Sequence, residues 1–182
     1  MTQSVTAIFD TYEAASRAVE RVRREGVSSG DISIVSNDAT VDRSGYGDYA
    51  YTETQADTGA ATGVGLGAAA GGTAGLLAGI GILAIPGLGP VVAAGWLAAT
   101  LVGAGAGGAA GGLVGALVGS GVSEDEAHSY AEGLRRGSTV VTVRAADADA
   151  ARIRQVLNQD SYDVAARAQS WRGEGWDGRS RY

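Results

Sequence analysis

The ends of this chain alternate polar and apolar positions in short blocks, while its middle is one long uncharged run rich in Gly and Ala. Val5–Phe9 is a β-branched and aromatic run and predicts a strand. Asp10 with Glu13 has the D-x-x-E form of a capping box that opens a helix. Ala14, Ala15, Ala18, Val19 and Val22 then recur at helical spacing, with Arg and Glu on the other face, and Gly26 closes the helix. Ile32–Val35, entered from the turn Ser28-Ser29-Gly30-Asp31, predicts a second strand.

The far end repeats this order. Ser123 with Glu126 is a second capping box, and Ala127, Tyr130, Ala131 and Leu134 share one helix face that Gly137 ends. Val140–Val143 predicts a strand, and Asp147 or Asp149 starts a helix carrying Ile153, Val156 and Leu157. Ser161–Val164 predicts a last short strand, and the tail 169–182, rich in Trp and Arg, predicts no regular structure. Two β-α-β units in succession predict an α+β fold of ferredoxin-like form, a βαβ-βαβ sandwich. Residues 4–36 and 123–168 then form one domain, with the helix at 123–136 extra to that fold. Residues 37–57 read as an acidic linker, long for a loop within one unit.

The middle, 58–122, breaks both periodicities. Its first glycine series is Gly59, Gly63, Gly67, Gly71, Gly75 and Gly79, and its second is Gly103, Gly107, Gly111, Gly115 and Gly119. Gly in a water-exposed helix costs roughly 1 kcal/mol relative to Ala, so a strict spacing of four calls for a reason. On a helix such a series lines one side and admits a neighbouring backbone closely, as in small-xxx-small packing. Pro86, Gly87, Gly89 and Pro90 interrupt the run and turn the chain. These features predict a glycine-zipper helical hairpin, with arms 59–84 and 91–121. At about 1.5 Å per residue the arms measure about 39 and about 46 Å, longer than a hydrocarbon core of about 30 Å. Two placements follow. The hairpin crosses a lipid bilayer with both termini cytoplasmic, or it is buried between subunits of a soluble cytoplasmic homo-oligomer through Leu76, Leu77, Ile80, Leu83, Leu97, Leu101, Leu113 and Leu117.

Charge sharpens this division. The net charge is −6, and all 20 acidic and 14 basic residues lie outside the stretch between Thr58 and Ser123, which holds 21 of the 30 glycines. An acidic chain argues against general nucleic-acid binding. The absence of cysteine excludes disulfides, thiol catalysis and Cys-based metal sites. The N-terminus has neither the positive nor the long apolar region of a secretory signal.

Candidate chemistry is sparse. Gly103-x-Gly105-x-x-Gly108 fits a dinucleotide-binding pattern, but no strand precedes it and glycine is too dense here for a match to mean much. Glu124, His128 and Glu132 stand four apart and read as a solvated helix face rather than a metal site. No catalytic residues, metal or cofactor are expected. Trp96, Trp171 and Trp176 are candidate interface residues, Trp171 and Trp176 flanking Arg172. A small-ligand sensor built on the α/β domain is a further alternative.

The stretch Gly59-Ala60-Ala61-Thr62-Gly63, the turn Leu83–Pro90, and Gly111–Gly119 followed by Val122–Ala127 and Tyr130 resemble bacterial low-temperature-induced and general-stress proteins. The opening Val5–Phe9, Ala14–Gly26 and Asp31–Val35 resembles the small domain of heat-induced YflT-type stress proteins. Together these cover roughly residues 4–165. The resemblance implies a stress-associated, membrane-attached protein without assigned catalytic residues.

Overall fold

The computed structural model describes residues 2–37, 81–85, 89–103 and 109–179. The elements run β1 (Thr2–Phe9), α1 (Tyr12–Arg24), β2 (Ile32–Ser36), β3 (Gly81–Ile85), β4 (Gly89–Ala94), α2 (Trp96–Gly103), α3 (Ala109–Gly119), α4 (Glu124–Arg135), β5 (Thr139–Ala146), α5 (Asp147–Leu157) and α6 (Val164–Gly173). A 3₁₀ turn, Ser29–Asp31, leads into β2. The fold is α+β; among the described residues five strands lie in the order β1-β5-β2-β4-β3, all paired antiparallel.

The three strands read from the ends are neighbours in the sheet, with β1 at one edge and β5 between β1 and β2. β5 pairs with β1 through Val5↔Val143 and Ile8↔Val140, and with β2 through Ile32↔Val143 and Val35↔Val140. Alternation along a strand sends these side chains to two faces. Val5, Ala7, Phe9, Ile32, Val141 and Val143 meet Ala15, Ala18 and Val22 of α1 and Ala150, Ile153 and Leu157 of α5. Ile8, Val35 and Val140 meet α2, α3, α4 and α6 on the other face. Each large side chain fully buried this way contributes about 1.5–3 kcal/mol, so the sheet is held by two cores.

Start and stop signals act much as the sequence suggests. α1 is capped by Thr11, one residue after the predicted Asp10, its hydroxyl accepting from the Ala14 N–H at 3.2 Å. Ser123 is the N-cap position of α4, its hydroxyl 3.4 Å from Glu126 Oε2 and making no bond to the helix backbone. Gly137, at φ +93°, follows α4 and turns the chain into β5 in a conformation a side chain disfavours.

The charge-free middle is helical over 96–103 and 109–119, within the predicted second arm, but departs from the expected hairpin of helices at 81–85 and 89–94, which are strands. The end of the first predicted arm, 81–84, is strand β3. The second arm, 91–121, is most of strand β4 followed by two helices. Pro86 and Gly87 lie outside the described residues, while Gly89 and Pro90 belong to β4, opposite Ile85 and Ala84. The chain does reverse here, but as a β-hairpin. The physical reason is β2: its edge away from β5 carries main-chain groups that need partners, and β4 supplies them at Ala94, Ala93 and Val92. Pro90 lies beyond that register, so its missing N–H costs no bond to β2.

The described part of 58–122 therefore belongs to the same sheet and core as the charged ends. Leu97 and Ala98 of α2 and Leu113 and Leu117 of α3 are buried beside Val35, Val91 and Val140. Among the described residues, no helix is long and apolar enough to cross a membrane.

The last element also differs. The predicted strand 161–164 is a single antiparallel bridge, Ile8↔Tyr162, with the Tyr162 N–H donating to the Ile8 carbonyl at 3.1 Å. Asp163 then caps α6, accepting from Ala165 N at 2.8 Å and Ala166 N at 3.2 Å. So residues 169–173, expected to lack regular structure, are helical. Val164, Ala168 and Trp171 of α6 are buried, and that burial stabilises a helix its local sequence announces weakly.

Candidate functional site

The glycine series is the first candidate. Gly59, Gly63, Gly67, Gly71, Gly75, Gly79 and Gly107 lie outside the described residues, as does most of the Gly103–Gly108 motif. Gly103 ends α2, and Gly111, Gly115 and Gly119 lie on α3. On α3 the leucines and the glycines divide. Leu113 and Leu117 are buried in the core. Gly115 and Gly119 stand two residues from them, about 200° around a helix of 3.6 residues per turn. A Cβ placed on either glycine would meet nothing within 4 Å. The adjacent Val118 is 41% exposed. Helix-to-helix contact inside the chain uses a different glycine: a Cβ on Gly112 would lie 3.5 Å from Leu101 Cδ2 of α2. The result is an outward face of α3, free of charge, that presents backbone at its surface.

The tryptophans are the second candidate, and the structure separates them. Trp96 opens α2 on the far side of the sheet from α1. The Arg144 guanidinium lies over its ring at 4.9 Å and pairs with Asp31 at 3.2 Å. Trp96 Nε1 is buried without a hydrogen-bond partner among the described residues. The preceding Gly95 has φ +92°, and a Cβ there would run into the Ile32 carbonyl and lie 2.8 Å from Ser33 Cα. Glycine is therefore required where α2 crosses β2.

Trp171 and Trp176 come together, ring centroids 6.1 Å apart and edge to face. Arg136 lies over Trp171 at 5.2 Å and Arg172 over Trp176 at 5.6 Å. Beneath this ladder is Glu132, 2% exposed. Arg135 binds both its carboxylate oxygens, at 2.7 and 2.6 Å, and Arg136 Nε binds Oε1 at 2.6 Å. Burial alone would push the Glu132 carboxyl up; the hydrogen bonds from Arg135 and Arg136 more than offset this and hold it below its ordinary 4.5. Arg136 also reaches Glu174 at 2.6 Å, tying α4 to the end of α6. The pairs of Glu132 with Arg135 and Arg136 are local, at spacings of three and four, but Glu174 joins them through Arg136 only when α6 folds back.

Glu132 is thereby committed to arginines, so the three residues at spacing four do not gather around one point. His128 faces Glu124 at 3.9 Å. Among the described residues there is no group of three or more His, Asp or Glu arranged to hold a metal ion. No protein-family model matches this chain, and no curated protein or solved structure is significantly similar to it.

Proposed function

We propose that this chain is a non-enzymatic, self-associating stress-response protein whose α/β body presents a charge-free glycine face to its own copies. One observation carries the reading: among the described residues, nothing lies within 4 Å of a Cβ on Gly115 or Gly119, on the same helix that buries Leu113 and Leu117. A helix that needed only to cover the sheet would gain from Ala at those positions by about 1 kcal/mol each. Retaining glycine there suits close approach of a second backbone. We read the body as ferredoxin-like. The order Tyr162 bridge, β1, β5, β2 supports this reading, the bridging segment lying beside β1 where a fourth strand of that form would run. The stress association is carried over from the sequence resemblance.

Attachment to the lipid bilayer of the cytoplasmic membrane is the second reading, favoured by the absence of any charged residue between Thr58 and Ser123. Burial of Leu97, Leu113 and Leu117 in the sheet's own core weighs toward assembly in the cytoplasm.

Sedimentation separates the two. The protein, expressed and lysed without detergent, is expected as a discrete oligomer in the soluble fraction. Gly115→Leu with Gly119→Leu should shift it to a smaller species with unchanged circular dichroism, since no described residue lies within 4 Å of a Cβ at either position. Recovery only in carbonate-washed membranes would replace the scaffold reading with the bilayer one, and a monomeric wild type would end both.

A further inference from the structure

The helix α6 carries its own ends. Asp163 caps its start, accepting from Ala165 N at 2.8 Å and Ala166 N at 3.2 Å. Its far end closes on Gly175, at φ +100°, where Trp176 N donates to the Trp171 carbonyl at 3.0 Å. The edge-to-face pair of Trp171 and Trp176 lies within the same stretch. Residues 163–176 thus hold their local form through bonds among themselves. The turn before them is pinned separately. Arg21 of α1 grips Asp160 at 2.7 Å, and Ser161 Oγ donates to Asn158 Oδ1 at 3.4 Å.

The fastenings of this stretch to the body are few. One main-chain bond joins it to the sheet, from Tyr162 N to the Ile8 carbonyl at 3.1 Å, and Tyr162 Oη lies 2.8 Å from Ser138 Oγ. Two ion pairs tie it down, Arg167 to Asp10 at 3.1 Å and Arg136 to Glu174 at 2.6 Å, and all four side chains reach water. The apolar anchor is Val164, Ala168 and Trp171, the indole resting where Gly133 has no side chain.

We infer that residues 161–176 form a strap that opens from the folded body as one unit, hinged at 158–160 and closing over the edge of β1. Exposed ion pairs hold weakly, so the indole against Gly133 is the main latch. Tyr130 belongs to α4, so the Thr6 carbonyl keeps its bond of 3.2 Å when the strap lifts, while the Ile8 carbonyl loses its own. The strap thereby governs one rung of β1, and main-chain groups left unpaired on an edge strand are a template for pairing. Neither the α3 glycines nor a bilayer enters this device.

The chain contains no cysteine, so a single introduced thiol reports on one place. Ala168→Cys puts it on the buried face of α6, and Val141→Cys puts it in β5, between β1 and β2. Both variants are checked by circular dichroism and treated with a water-soluble disulfide reagent in native buffer. The Ala168→Cys thiol is expected to react at least about tenfold faster, since opening a local unit takes less free energy than unfolding the whole. Amide exchange of the unmodified protein gives a second measure. Tyr162, Ala168 and Arg172 should share one opening free energy, below that of Val140–Val143. Equal reaction rates of the two thiols would show that α6 leaves only when the whole chain unfolds. Opening free energies graded from Arg172 back to Tyr162 would show fraying from the tail. Either result overturns the strap.

Discussion

Tyr130 Oη donates a hydrogen bond of 3.2 Å to the main-chain carbonyl of Thr6. The bond reaches from α4 to the outer edge of β1, and Thr6 faces Thr142 of β5 across the sheet, their hydroxyls 3.3 Å apart. A core tyrosine thus does at one rung what the Tyr162 backbone does at another. Tyr130→Phe keeps the ring and removes the donor. It should cost about 1–2 kcal/mol in chemical denaturation, with faster amide exchange around Thr6. An unchanged midpoint would show that the bond contributes nothing to edge capping.

The same residue sets a response to base. Burial pushes the Tyr130 phenol well above its ordinary 10, and Glu126 and Asp163 add to this by repelling the phenolate. A group whose folded pKa is raised contributes in full below the unfolded pKa. That contribution is lost as pH rises from about 10 toward the folded value, because the unfolded chain releases the proton first. Stability should therefore fall above pH about 10, less steeply in Tyr130→Phe. Burial raises Tyr12 and Tyr162 as well, so part of the slope remains in the variant. Denaturation midpoints between pH 9 and 11 measure the difference.

Glu132 gives the opposite dependence. Its carboxyl is held below 4.5, so its contribution is present above that value and is lost as pH falls through the folded pKa. Glu132→Gln should destabilise the protein by about 1–3 kcal/mol at pH 7, nearer the lower figure because both arginine side chains reach water. It should also flatten the decline of stability below pH about 4. Trp171 and Trp176 fluorescence follows the transition at this cluster.

Gly133 is the point where α4, β1 and α6 meet. A Cβ there would collide with Ile8 Cδ1 and lie 3.0 Å from Tyr162 Oη and 3.2 Å from Trp171 Cη2. Ala is favoured over Gly in a helix by about 1 kcal/mol, yet overpacking of about 1–3 kcal/mol should win. Gly133→Ala is expected to destabilise, and adding Ile8→Val, which removes the nearest methyl, should recover part of the loss. A stabilised single variant would mean that the three neighbours move aside freely.

Gly95 is the harsher case, because backbone surrounds it. Gly95→Ala combines a positive φ with contact against the Ile32 carbonyl and Ser33 Cα, neither of which a rotamer change relieves. A loss of at least about 3 kcal/mol is expected, read as a lowered denaturation midpoint or failure to accumulate folded protein. A midpoint within 1 kcal/mol of wild type would place α2 elsewhere than against β2.

The sequence by itself determined the elements whose polar and apolar positions alternate. β1, α1, β2, α4, β5 and α5 fall where periodicity and capping residues put them, and Ala127, Tyr130, Ala131 and Leu134 form the buried face their spacing describes. It also confined every charge to the ends. The tertiary structure decided the rest. Between Gly81 and Ala94 every residue is apolar, so neither period is written there and helix and strand read alike. The unfilled edge of β2 settled the choice, because its main-chain groups need partners that a local pattern cannot announce. α6 is helical for a similar reason: Trp171 finds its place against Gly133 and under Arg136, residues far from it in the chain. Local patterns record which face of an element avoids water, but only the assembled core supplies the partner for that face.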